Sequence, residues 1–337
     1  GPVAGLSSDE VARFEAGRRR FDQDRLLAEG LGTHFNADSC RGCHRDPVLG
    51  GSGGVDTNVI RFGGRDLDGV YSPLDRNVLP RVSVPGVLPL RMPDAANVVE
   101  LRNPPTVLGV GMVDDIDPDA IIALEDPDDL DGDGISGRAR ILSDGRVGKY
   151  GWKANVPTVP DFVADALLNE NGITIDPALS SFTGTDDDGI ADPELSTSTV
   201  DDLVFFLMNL APPPRREPTD AAAADRGEGL FVTTGCASCH VPEVDGVAAY
   251  SDFLLHDVAP DAMTLVEQDD GVLATEFRTP PLWGVGETGP YLHSGEAETL
   301  SEAVIMGHFG EASTARQNFE ALDAASQHDL VTWLQTL

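Results

Sequence analysis

Positive charge is scarce in this chain. Its 337 residues include only two lysines, Lys149 and Lys153, and 21 arginines, against 39 aspartates and 18 glutamates, for a formal net charge of −34. Such a surface repels phosphate backbones and anionic headgroups, which argues against nucleic acid or an anionic membrane as partner. Aromatic residues make up only 6%. No apolar run approaches the roughly 18 residues that crossing a bilayer requires, so no membrane span is expected. The sequence starts Gly1-Pro2, without a methionine or an apolar leader, and reads as a trimmed, mature form. Glycine and proline are plentiful, at 36 and 24, and predict long loops. The length suggests two domains.

Cysteine is also rare, and all four fall in two pentapeptides of one pattern: Cys40-Arg-Gly-Cys43-His44 and Cys236-Ala-Ser-Cys239-His240. Two thiols at this spacing can add to the two vinyl groups of one haem, and the adjacent histidine then lies under the iron as proximal ligand. A zinc ribbon keeps its two cysteine pairs roughly 15–20 residues apart, far closer than these. Thioredoxin-like pairs need no histidine after them, and two disulfides would leave both histidines unexplained. The spacing therefore predicts two covalently bound haem c groups. Because that attachment is made on the exported side of the membrane, it also predicts a periplasmic or secreted protein.

A helix precedes each motif. Ser7 and Glu10 read as a capping box, followed by the stripe Val11, Phe14, Gly17 and Phe21. Thr219-Asp220 can cap the run Ala221 to Phe231. A closing helix follows each motif, in "STVDDLVFFLMNL" ending at Leu210 and "SQHDLVTWLQTL" ending at Leu337. Helix, motif, long loops and closing helix make up a class I cytochrome c domain, here present twice. The expected fold is mainly α, with cytochrome c-like domains over residues 1–212 and 213–337, the first enlarged by insertions. "APPPRREP", Ala211 to Pro218, cannot be helical and separates them. Two acidic loops in the first copy, Asp126 to Arg138 and Thr183 to Leu195, suit calcium, although the full EF-hand pattern is absent. Solvated surface loops are the equal alternative.

Seven histidines remain to be apportioned. His44 and His240 are the expected proximal ligands. His328 lies among polar residues and reads as surface, and His34, six residues before Cys40, as structural or propionate-bonding. The second ligand of the second haem should come from between the motif and the closing helix, where His256, His293, His308, Met263 and Met306 are candidates. Thr299 and Glu302 form a capping box that starts a helix carrying Ala303, Val304 and Ile305 inward. Met306 and His308 on one helix point roughly 200° apart, so at most one can face a given iron. The residues alone leave the choice open.

The stretch "FRTPPLWGVGETGPYLHSGEAETLSEAV" resembles the di-haem cytochrome c peroxidase and MauG superfamily, which carries a similar P-Y-x-H-x-G … T-L-x-x-A passage after its second haem motif. The chain is more specifically similar to the bacterial di-haem oxidoreductase family, with counterparts of "LGTHFNADSCRGCH", "DPDDLDGDGISGR", "YGWKANVPT" and "YSDFLLHD" in matching order over nearly the whole chain. That resemblance implies that His308, opening "HFGEA", ligates the second haem, with Met306 as the alternative and one extra residue between His308 and Thr299. It also implies calcium-facing carbonyls at Thr288 and Pro290, with Asn58 as a third contributor, and gives His293 an interface or propionate role. Trp152 becomes an electron relay or an ordinary core aromatic. Asp114 becomes an acid near the first haem, with Asp115 and Glu125 as neighbours able to replace it.

The implied function is a peroxidase-like di-haem oxidoreductase. The first haem, on His44, would be open and reactive unless Met92 or Met112 closes it; the second, on His240 and His308, would be six-coordinate and pass electrons. Its partners would be peroxide or another small oxidant, and a small redox-protein donor or a substrate protein. MauG-like oxidation of a protein or organic substrate, and electron transfer without turnover, are the competing classes.

Overall fold

The structure is a computed structural model and describes residues 1–337 apart from Pro73, Asp75, Arg76, Asp187, 261–264 and 267–270. Met263, one of the ligand candidates, and Asp187 of the second acidic loop lie outside the described residues. The chain forms two units. One comprises Gly1–Asp114 and Val156–Ala211, the other Asp115–Asn155 and Pro212–Leu337.

The later crossing falls beside the expected 212/213 boundary, but residues 115–155, assigned to the first copy from sequence, belong to the second unit. Long-range bonds explain this difference. Arg138 exchanges backbone bonds with Leu255, and its guanidinium holds Glu276 at 2.7 and 2.6 Å. The Lys153 ammonium donates to the carbonyls of Leu273, Ala274 and Glu276. These partners lie over a hundred residues away, beyond the reach of any local pattern.

In chain order the helices are α1 (Ser8–Asp22), α2 (Val110–Asp114), α3 (Pro118–Ile122), α4 (Val159–Ala166), α5 (Thr197–Met208), α6 (Ala221–Thr233), α7 (Leu300–Gly307), α8 (Ser313–Ala321) and α9 (Ala324–Leu334). In the first unit α1 begins at the Ser7–Glu10 capping box and buries Phe14, Gly17 and Phe21 against α5, whereas Val11 stays exposed. A Cβ on Gly17 would lie 2.0 Å from the Asp202 carbonyl oxygen, so only glycine lets the two helices approach this closely. Phe206 then stacks between Phe14 and Phe21, at 5.0 and 5.2 Å.

The second unit repeats the device. Asp220 caps α6, Asp323 caps α9, and Ala224, Gly227 and Phe231 stand at the spacing of Phe14, Gly17 and Phe21. A Cβ on Gly227 would lie 2.1 Å from the Asp329 carbonyl oxygen, and Phe231 packs on Trp333 at 4.5 Å. The sequence-level repeat is thus a repeat of one helix crossing.

The first unit also contains strands that the sequence reading took for loop. Val59–Arg65 pairs antiparallel with Tyr71–Ser72, Val78–Leu79 and Val98–Arg102. Val98–Arg102 alternates buried and exposed residues, and Arg102 and Glu100 form a buried ion pair at 2.7 Å. In the second unit Leu255–Asp257 pairs with Glu276–Arg278. Among the described residues no helix is long and apolar enough to cross a membrane.

Candidate functional site

Each Cys-x-x-Cys-His segment winds into a short 3₁₀ turn, Cys40–Gly42 and Cys236–Ser238. In both, the histidine amide donates to the carbonyl of the first cysteine at 3.0 Å, which gathers two sulfurs and an imidazole on one turn. The four sulfurs form no disulfide. Burial pushes the Cys40 and Cys43 thiols up to about 11 and raises Cys236 as well. Such surroundings suit sulfur that ends as an uncharged thioether.

The histidines separate by what their ring nitrogens do. Nδ1 of His44 faces the Gly51 carbonyl at 3.3 Å, that of His240 the Tyr250 carbonyl at 2.9 Å, and that of His308 the Ala303 carbonyl at 3.1 Å. A carbonyl only accepts, so Nδ1 carries the hydrogen in all three and Nε2 carries the lone pair. That is the tautomer and outer support of a metal-ligating histidine. His34 instead engages both nitrogens, with Thr33 and Leu88, and His256 engages both with Asp252 and Glu311. His293 stacks on Phe277 at 4.5 Å, and His328 is exposed beside Thr332.

Burial lowers His44 and His308, and it takes His240 down to about 4, with a charge on His308 pushing His240 further the same way. The His240 and His308 imidazoles thus lie near enough for the charge of one to act on the other. Met306 is 40% exposed, and Ile305, expected to face inward, is 39% exposed. The reason is where α7 ends: His308 is its C-cap, so the chain has left the helical path that set the 200° argument.

Each unit also holds a buried guanidinium nitrogen with no hydrogen-bond partner among the described residues, Nε of Arg61 in the first and of Arg316 in the second. Arg316 lies close enough to depress His308, and Arg61 acts on the same buried carboxyl, Glu170, that bears on Cys43. A buried N–H donor without a partner calls for an acceptor. Haem carries two carboxylates at its edge, so the donor set fits that group.

The acid expected at Asp114 ends α2, and its Oδ1 accepts the amide of Val159 at 3.2 Å, at the start of α4. Glu170 has different surroundings, and the sequence reading missed it. Past Ala166, α4 widens into a π-turn, Leu167–Asn171, closed by Gly172 at a φ of 66°. There Asn36 donates to Glu170 Oε2 at 2.6 Å and to its carbonyl at 2.7 Å, and Asn171 donates to the Ala37 carbonyl at 2.6 Å. The turn is thus tied to the segment leading into Cys40. Burial raises the Glu170 carboxyl, against the pull of Asn36 and Arg61, and its charge in turn raises Cys43. The available signal was an acid set among the apolar residues of "ADALLNENGI"; a π-turn there marks a site under constraint.

Residues 90–337 match the family described as "Di-haem oxidoreductase, putative peroxidase". The chain belongs to this family. A curated relative, cytochrome c551 peroxidase of Pseudomonas aeruginosa, is 38% identical over 96 residues, 26% of this chain and 28% of that protein. The match therefore spans little more than a quarter of the relative's length. Among solved structures, the hydrazine synthase of Kuenenia stuttgartiensis is 16% identical, with a TM-score of 0.51 over 100% of this chain and 90% of that one. A variant of the diheme peroxidase BthA of Burkholderia thailandensis is 17% identical, with a TM-score of 0.49 over 100% and 86%. The first of these likenesses is one of fold alone.

Haem is thus the cofactor of this di-haem oxidoreductase. Its other expected site residues are distributed as follows. Trp152 is half-buried in the second unit against Leu265, Ala274 and Phe277. Thr288 Oγ1 donates to the Gly284 carbonyl at 3.1 Å, and Pro290 follows a cis bond in the same unit. Asn58 is buried in the first unit, where its Oδ1 accepts from Asn103 at 2.9 Å. In the first acidic loop the carboxylates of Asp126, Asp129 and Asp131 accept amides of the loop itself. In the second, Asp186, Asp188 and Glu194 bring carboxylate oxygens within 4.8 Å of one another, and one buried oxygen of each lacks a partner among the described residues.

Proposed function

We propose that this di-haem oxidoreductase is an exported peroxidase with two covalently attached c-type haems, held by two cytochrome c-like domains. One observation carries the reading. Nδ1 faces a backbone carbonyl in His240 and His308 of the second unit and in His44 of the first. Cys236, Cys239, His240 and His308 would hold the second haem, and Cys40, Cys43 and His44 the first. An iron with an exchangeable position binds peroxide, while a closed one passes electrons.

Glu170, whose carboxyl is raised by burial and whose Oε2 is held by Asn36, would be the group that moves a proton at the reactive site. Asp114 shares the task only through α4, whose first amide it holds. Trp152 relays electrons. Hydrogen peroxide or a similar small oxidant is the substrate, and the acidic surface favours a basic redox protein as donor. Calcium is better served by the unpartnered oxygens of Asp186, Asp188 and Glu194 than by Thr288, Pro290 and Asn58.

Peroxide added to the fully reduced protein, followed at the Soret band, tests the reading. Rapid reoxidation with turnover is expected. The ferric protein should show one high-spin component that binds cyanide and one low-spin component that does not. An inert spectrum with two low-spin haems would make the protein an electron carrier.

A further inference from the structure

His256 is one of the most enclosed charged groups in the second unit, with its side chain 3% exposed. Nε2 stands 2.9 Å from Asp252 Oδ2 and Nδ1 stands 2.9 Å from Glu311 Oε2. Carboxylate oxygens facing both nitrogens can only accept, so both carry hydrogen and the ring is an imidazolium. A Cβ on Gly137 would fall 2.4 Å from Cε1, so glycine there lets the neighbouring loop close over the ring edge.

The three residues connect the segment of Cys239 and His240 to the segment of His308. Asp252 follows Tyr250, whose carbonyl holds His240 Nδ1, and the Asp252 amide donates to the Cys239 carbonyl at 3.0 Å. His256 itself lies 3.9 Å from Cys239 Sγ. Glu311 belongs to the segment that carries His308, and besides His256 it accepts from Ser136 N and Oγ at 3.0 Å and from the Asp257 amide at 3.1 Å. The Phe309 amide adds a bond to the Val258 carbonyl at 3.0 Å.

We infer that His256, clamped between Asp252 and Glu311, is a positioning residue that locks the His240 side and the His308 side into one frame and so keeps the second iron closed. This rests on the assignment of His240 and His308 as its ligands. A lone carbonyl bond orients each imidazole but cannot fix the distance between the two loops; the charged clamp does.

The test uses the holoprotein. Glu311→Gln keeps volume but turns one acceptor into a donor facing donors. The low-spin ferric signal of the second haem should weaken, a second high-spin signal should appear, and cyanide should bind that haem faster than in the wild type. Glu311→Asp should recover part of the low-spin signal. Asp323→Ala, which removes the cap of α9 in the same unit, should leave the signal in place and so separate positioning from general loosening. If Glu311→Gln and His256→Gln both keep the wild-type low-spin signal and reduction potential, the inference is overturned; should His256→Gln not accumulate, Glu311→Gln alone decides. His308→Ala checks the underlying assignment, which loss of the low-spin signal supports and its retention removes.

Discussion

Glu170 and Asp114 are carboxylates of the same unit placed in different company. Asp114 accepts the first amide of α4, whereas Glu170 is desolvated in a π-turn and acts electrostatically on Cys43. Glu170→Gln should therefore slow peroxide cleavage by about 10²–10⁴-fold, the usual cost of a lost acid–base group, and spare the high-spin ferric signal. Asp114→Asn should change the rate far less; stopped-flow traces showing the reverse order would return the role to Asp114. His256 and Glu311 make a second residue-scale prediction. Burial opposes both charges, yet bonds from Asp252 and Glu311 hold His256 well above its ordinary value, and bonds from His256, Ser136 and Asp257 hold Glu311 down to about 2. A depressed acid stabilises the fold above its ordinary value of 4.5 and loses that contribution as pH falls toward 2. A raised base contributes fully below 6.5 and loses it as pH climbs toward its raised value. The difference in urea midpoint between wild type and Glu311→Gln should be widest between those ordinary values and narrow on either side. A difference that grows with alkaline pH would contradict the pairing.

At the scale of elements, the two helix crossings are the firmest structural feature and the easiest to break. Gly17→Ala and Gly227→Ala each put a methyl into a carbonyl oxygen of the partner helix, and α5 and α9 cannot retreat without unpacking Phe206 and Trp333. Each should cost about 1–3 kcal/mol, as overpacking does, despite alanine's better helix propensity. Thermal melts of the holoprotein measure it, and an unchanged melting temperature would mean that the helices are further apart than described. Helix starts were legible because a cap is local. Ser7, Asp220 and Thr299 each accept an amide three residues on, a relation that the sequence spells out. The antiparallel strands were not, since Val59–Arg65 finds Val98–Arg102 only across a long loop. The π-turn left no periodic signal, because one extra residue in a helix looks like no helix at all.

For the whole molecule, a charge of −34 means that folding gathers like charges, so self-repulsion should set much of the salt response. Raising sodium chloride from about 10 mM toward about 500 mM, which shortens the screening length several-fold, should raise the melting temperature. A melting temperature that stays level or falls would show that ion pairs such as Arg138–Glu276 outweigh the repulsion. The sequence by itself determined what is local and chemical: two Cys-x-x-Cys-His turns, the helix before and after each, the acidic surface, and the family through its ordered motifs. Tertiary structure decided which groups meet. It moved residues 115–155 into the second unit through the bonds of Arg138 and Lys153, left Met306 exposed, drew Glu170 to Asn36, and enclosed His256 between two carboxylates. The physical reason is the same in each case. A ligand's nitrogen, an acid's desolvation and a charge's partner depend on atoms distant in the chain, and only packing brings those atoms within a hydrogen bond of one another.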